Sequence, residues 1–218
     1  MDSPSRWFSR RDFLQRAAAV ASACALDPFK YIAVEDGWYR NERLRLSFRK
    51  PVGWDFVSVA DYAEVMERTR LMDEVPGELH LLKEEDNVPI VLICKPGRWE
   101  DGVTPSIMLF DEPLEEPLPE DREAEHDQAV EYLAVSLRGL RVEAPASRLD
   151  LNGETATITR CSYWHDLDNG QANRVETYML VVFSRDRIHT YYLVDDASQR
   201  WVAQSVWNEF LASIRYSV

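Results

Sequence analysis

Three runs in the C-terminal half carry the strand signature. Thr155 to Trp164 (TATITRCSYW) alternates and is rich in β-branched and aromatic residues. Arg174 to Phe183 (RVETYMLVVF) and Ile188 to Val194 (IHTYYLV) follow it. Asn152-Gly153 stands ahead of the first run, Asn169-Gly170 after it, and Ser184 to Arg187 between the last two. Asn-Gly is the strongest tight-turn pair, so the spacing predicts a three-strand antiparallel meander.

Helical periods flank the meander. Val130, Leu133, Ala134 and Leu137 recur at i, i+3, i+4 and i+7, and Gly139 stands where a helix stops. Ala203, Val206, Trp207, Phe210, Leu211 and Ile214 form the apolar stripe of a terminal helix, with Asp196 to Gln199 as a capping box. Upstream, Leu44, Leu46 and Phe48 alternate with Arg43, Arg45 and Ser47, which predicts a half-buried strand broken by Pro51-Val52-Gly53-Trp54 and resumed over 55–59. Asp61 to Met72 reads as a helix through Tyr62, Val65, Met66 and Thr69. Val88 to Cys94 (VPIVLIC) reads as a strand buried on both faces, and Pro105 to Phe110 as another, with Trp99 in the loop between them.

The first thirty residues have a different character. Arg6, Arg10, Arg11 and Arg16 precede a weakly apolar run from Ala17 to Leu26 and an A-x-A arrangement at Ala21-Ser22-Ala23. That order is the layout of a secretory leader. Ser9-Arg10-Arg11-Asp12-Phe13-Leu14 resembles the twin-arginine export motif, with Arg10, Arg11, Phe13 and Leu14 carrying the match. The leader ends at Ala23, or at Ala25. Ala21-Ser22-Ala23-Cys24 also resembles a lipobox that lacks its usual leucine, which makes Cys24 a candidate lipidation site. The apolar run is half the ~20 residues that span a bilayer. The competing reading is a cytosolic amphipathic helix with Trp7, Leu14, Ala17, Ala18 and Ala21 on one face.

Composition narrows the partners. The chain has 218 residues, 45% hydrophobic and 29% charged, and a net charge of −13. One soluble domain behind a leader fits that length, and the negative balance argues against nucleic acid as a partner. Cys94 and Cys161 lie in no C-x-x-C spacing, so a zinc site has no support. They read as buried thiols, or as a disulfide if their strands are neighbours.

The order of elements resembles the PsbP/Mog-type (PsbP-like, DcrB-like) superfamily over residues 42–216. Leu46-Ser47-Phe48, Pro51-Val52-Gly53-Trp54, Pro105-Ser106-Ile107, Asn152-Gly153 and Tyr191-Tyr192-Leu193 carry the likeness. It implies an α+β class: a mainly antiparallel sheet with helices on both faces, an α-β-α sandwich. The chain then divides into a signal peptide at 1–23, a linker at 24–41 and one domain at 42–218. The resemblance also implies a binding or scaffold role more than chemistry.

No G-x-S-x-G, P-loop, G-x-G-x-x-G or H-E-x-x-H motif is present. No catalytic residue and no cofactor is expected. The carboxylates from Asp111 to Asp127 could form a cation site, or a solvated loop leading into an acidic helix start. His126 lies in that start, where its neighbours favour protonation. His165-Asp166 could serve a metal or acid–base role, or simply belong to the Asn169-Gly170 turn. Trp54, Trp99 and Trp164 stand at strand ends or in loops, where they line a recognition groove or cap the core. Trp207 is expected in the core.

The leading expectation is an exported, periplasmic, non-enzymatic module that binds a protein or envelope component and meets the membrane only through a lipid anchor. The alternatives are a cytosolic chaperone or adaptor of the type VI effector-chaperone kind, and a metal-binding module.

Overall fold

The computed structural model describes residues 32–57, 89–96, 103–114, 120–166, 170–184 and 186–216. Strands β1 (Ile32–Glu35), β2 (Trp38–Asn41), β3 (Leu46–Arg49) and β11 (Arg215–Tyr216) form a four-stranded sheet in the order β1-β2-β3-β11. Strands β4 (Asp55–Val57), β5 (Val91–Cys94), β6 (Ser106–Pro113), β7 (Arg141–Leu151), β8 (Glu154–Asp166), β9 (Ala172–Ser184) and β10 (Arg187–Asp196) form a second sheet. Its order is β4-β5-β6-β10-β9-β8-β7. Neighbouring strands in both sheets are antiparallel. Helices α1 (Arg122–Ser136) and α2 (Arg200–Ser213) complete the described fold, which is mainly antiparallel sheet.

Strand β9 shows how the layers arise. Val175 through Phe183 is buried without interruption, so side chains on both faces leave water. Tyr178, Leu180 and Val182 join a core with Tyr191 of β10, Phe48 of the small sheet, and Trp207 and Phe210 of α2. Met179, Val181 and Phe183 point the other way and pack with Cys161 and with Val130 of α1. Trp207 stacks on Phe210 at 5.6 Å between ring centroids, and Phe210 meets Phe48 edge-on at 5.2 Å. Both geometries suit the ring quadrupole. Trp207 is therefore a core residue, as its place on the apolar stripe predicts.

The meander β8-β9-β10 forms as expected, and β7 precedes it. Asn152 and Gly153 take positive φ values of 55° and 93°, the backbone of a tight hairpin turn. Asn152 Nδ2 also donates to the Ile214 carbonyl at 2.6 Å, which ties this turn to the end of α2. Helix α1 opens as expected on acidic residues: Asp121 Oδ1 accepts from the Ala124 N–H at 3.0 Å, and Glu123 and Glu125 occupy the first turn.

Several expectations change. Residues 32–41, within the stretch read as a linker, form β1 and β2, and β2 pairs with β3. Asp36-Gly37, with φ of 50° and 78°, supplies their turn. Strand β6 runs on to Pro113, so Asp111 and Glu112 are strand residues and not the start of an acidic loop. The capping box is replaced by a short 3-10 turn at Ala197–Gln199, where Asp196 Oδ1 accepts from the Ser198 N–H at 2.8 Å; α2 begins after Gln199 without a side-chain cap. Cys94 on β5 and Cys161 on β8 are both buried and free. Three strands separate them in the sheet, about 19 Å at ~4.8 Å per strand, far outside disulfide reach. The helix expected over Asp61 to Met72 lies outside the described residues.

Candidate functional site

Cross-strand register builds a polar and aromatic ladder on the α2-facing side of β8 and β9. Trp164 pairs with Arg174, Ser162 with Glu176, and Arg160 with Tyr178. Strand side chains alternate between faces, so these six residues share one face with the core residues Ala156 and Leu180. At the outer end the Arg174 guanidinium lies over the Trp164 indole, 5.7 Å from the ring centroid. The same guanidinium donates to Ser162 Oγ at 2.6 Å and to Glu143 Oε1 of β7 at 3.0 Å. Ser162 Oγ in turn donates to Glu143 Oε1 at 2.6 Å. The Ser162 hydrogen bond first, and then Arg174, hold the Glu143 carboxyl below the usual carboxylate range. Further in, Arg160 Nε lies 3.2 Å from Glu176 Oε1 in a largely buried ion pair.

This arrangement leaves Trp164 41% exposed while fixing its ring. Its indole also borders Gly139, where an added Cβ would meet Trp164 Cδ1 at 3.2 Å. Gly139 has φ of 64°, and the Arg138 carbonyl accepts the Trp164 N–H at 2.9 Å. A large apolar ring braced by a cation and rimmed by hydrogen-bonding groups loses little freedom when it is covered. Such a surface is suited to recognition.

A second polar group is buried between the sheets. His189 faces Asp111 across the β6–β10 register, with Nε2 at 3.2 Å from Asp111 Oδ1. Arg187 grips both oxygens of Asp111. His189 Nδ1 lies 3.0 Å from the Tyr216 hydroxyl, which lies 3.0 Å from the Tyr191 hydroxyl. Burial acts to raise the Asp111 pKa, but bonds and charges from His189 and Arg187 outweigh it and leave the carboxyl below its ordinary value. Burial pushes both tyrosine hydroxyls up, so they remain neutral donors. The chain Asp111–His189–Tyr216–Tyr191 stitches β11 of the small sheet to β6 and β10 of the large one. Sequence reasoning missed it, although Arg187, His189 and Tyr191 lie at i, i+2 and i+4 of one strand.

The other expected residues separate. Arg10, Arg11, Phe13, Leu14, Cys24 and Trp99 lie outside the described residues. Trp54 is 3% exposed and packs in the core, so it lines no groove. His126 is 2% exposed, with Nδ1 at 2.7 Å from Thr157 Oγ1. Desolvation exceeds the attraction of Asp127 and lowers its pKa to about 4, the reverse of the shift expected from its acidic neighbours. His165 is buried while Asp166, the next residue and so on the opposite face of β8, pairs with Arg138 at 2.5 Å. Among the described residues no group of three or more His, Cys, Asp or Glu side chains gathers around a metal position. None of the described helices is long and apolar enough to cross a membrane.

No protein-family model matches the chain, and no curated protein matches it in sequence. Solved structures do. The solution structure of cyanobacterial PsbP (CyanoP) from Synechocystis sp. PCC 6803 superposes with a TM-score of 0.50 at 11% identity, over 85% of this chain and 96% of that one. The chain has a PsbP-like fold. LpqN of Mycobacterium tuberculosis, described as involved in cell envelope biogenesis, gives a TM-score of 0.45 at 13% identity over 78% of this chain and 81% of its own. Mog1p, a Ran-binding protein of Saccharomyces cerevisiae, gives 0.41 at 11% identity over 79% and 90%. Within the PsbP-like scaffold, the Trp164 ladder occupies the β7-β8-β9 side of the large sheet.

Proposed function

We propose that this PsbP-like chain is an exported, non-enzymatic binding module of the cell envelope, and that Trp164 is the anchor by which it holds a protein partner. The leader at 1–23, with Arg10, Arg11, Phe13 and Leu14, supports export by the twin-arginine route, and Cys24 supports a lipid tether. An α-β-α arrangement is the reading supported by Val130 of α1 packing with Met179, Val181 and Phe183 while Trp207 and Phe210 of α2 pack with Tyr178, Leu180 and Val182. The observation that carries the binding role is the half-open Trp164 ring clamped by Arg174, which is itself held by Ser162 and Glu143. Tryptophan with arginine is the composition of interface hot spots.

Two measurements test this reading. Cell fractionation is expected to place the wild-type chain outside the cytoplasm and an Arg10→Lys/Arg11→Lys double variant inside it. Cytoplasmic residence of both would remove export and leave the cytosolic adaptor reading. A photo-crosslinking residue at position 164 is expected to capture one discrete partner in cells, while the same residue at exposed Val135 on α1 captures none. Equal labelling from both positions would refute the anchor.

A further inference from the structure

The chain is strongly acidic as a whole, yet the outer face of the four-stranded sheet is basic. Strands β1, β2, β3 and β11 with their two hairpin loops hold five arginines (Arg40, Arg43, Arg45, Arg49 and Arg215) against three carboxylates (Glu35, Asp36 and Glu42). All five arginines are exposed. Arg40, Ser47 and Arg215 form one cross-strand row over three adjacent strands, which puts Arg40 and Arg215 about 10 Å apart on one face. Arg49, two residues from Ser47, lies on that face beside its register partner Trp38, which is half-buried. The opposite face sends Tyr39, Leu46 and Phe48 into the core.

Nothing within the described fold neutralises this row. None of the five arginines pairs with a carboxylate among the described residues; Arg215 donates only to the Ala212 and Ile214 carbonyls, at 2.6 and 2.7 Å. Arg49 lies diagonal to both Arg40 and Arg215 on this face, and Glu35, the one carboxylate on the same side of the strands, lies beyond Trp38 on β1. The chain also enters here. Ile32 opens the edge strand β1, and Cys24 stands eight residues upstream, a leash of at most ~27 Å.

We infer that this face rests on an anionic phospholipid surface, with Arg40, Arg49 and Arg215 against phosphate headgroups and Trp38 at the interfacial level. A flat row of guanidinium groups beside an amphipathic indole matches the chemistry of a headgroup layer. The inference does not depend on the Trp164 reading or on acylation.

The test uses the full chain with Cys24→Ser, which cannot be acylated at that position. Vesicles of equimolar phosphatidylglycerol and phosphatidylcholine are expected to co-sediment it at low salt, and pure phosphatidylcholine vesicles are not. Arg40→Glu/Arg215→Glu is expected to lower the partition coefficient at least ~10-fold, with binding also falling as salt rises. Arg40→Lys/Arg215→Lys, which keeps the charge, is expected to retain binding and covers the case in which the reversal variant fails to fold. Arg141→Glu, on exposed β7, is expected to bind as the parent does. Trp164→Ala is expected to leave vesicle binding unchanged, which separates this inference from the partner site. Failure to sediment with the anionic vesicles overturns the inference. So does sedimentation that the Arg40/Arg215 reversal leaves intact, which would assign it to residues 1–31. Binding of polyglutamate without binding of vesicles also overturns it, in favour of an acidic protein.

Discussion

His126 makes the stability of the fold sensitive to mild acid. Its imidazole sits under α1 at 2% exposure, bonded to Thr157, and burial lowers its pKa to about 4 from an ordinary 6.5. The folded state therefore favours the neutral ring. That contribution is fully present above pH 6.5, where neither state binds the proton. Below it, the unfolded chain takes up a proton that the folded chain refuses, and stability falls with each unit until the folded value is reached. The total loss is about 3 kcal/mol, and about 2 kcal/mol is already gone near pH 5. The assay is urea unfolding of the wild type and of His126→Gln at about pH 7.5 and about pH 5. Glutamine can keep a bond to Thr157 but cannot titrate. The wild type is expected to lose about 2 kcal/mol more than the variant between the two conditions. Loss of the same stability by both proteins, within about 0.5 kcal/mol, would show that the ring is solvated or already charged, and the burial argument would fail.

Three further outcomes follow from the packing. Asp111→Asn removes the carboxylate that Arg187 and His189 share between the sheets, and unfolding in urea is expected to show a loss of about 2–3 kcal/mol, moderated by the partial exposure of Arg187. Gly139→Ala forces a side chain onto a φ of 64° and against Trp164 Cδ1 at 3.2 Å; calorimetry is expected to show a loss of about 1–2 kcal/mol. Burial pushes the Cys94 thiol up to about 12 and the Cys161 thiol to about 11, so neither is expected to react with a disulfide reagent at neutral pH until the protein is unfolded.

The sequence made some elements visible and hid others for identifiable reasons. Strands β8 and β10 and the Asn152-Gly153 turn were legible because alternation and turn chemistry are local. Helix α1 showed through its period and its acidic first turn. Strand β7 was hidden because most of its residues are exposed, Pro145 interrupts it, and its pairing with β8 shifts register between Val142 and Ser147. It is also an edge strand whose Ala146 N–H is taken by Asp127 of α1 at 3.1 Å, so it lacks the two-sided burial that marks β9. The β1–β2 hairpin carried a readable Asp36-Gly37 signal between strands too short for a clear period. Of the tryptophans expected at strand ends, Trp164 is partly exposed and Trp54 is buried, because a tryptophan after a Pro-Gly break can face either way. The Asp111–His189 contact lay beyond the reach of local reading: the two residues meet only once the β6–β10 register is set.

The pairing of β3 with β11 has a consequence for biogenesis. The Arg49 amide and the Ser213 hydroxyl that accepts its hydrogen lie 164 residues apart. Strands β1, β2 and β3 can pair with one another early, but β3 gains its second neighbour only after nearly all the rest of the described domain has been translated. In the interim Tyr39, Leu46 and Phe48 lack Trp207, Phe210 and Ile214 of their core, and apolar surface exposed in that way is what chaperones bind. Completion of the small sheet thus waits on the synthesis of β11, the strand farthest along the described chain.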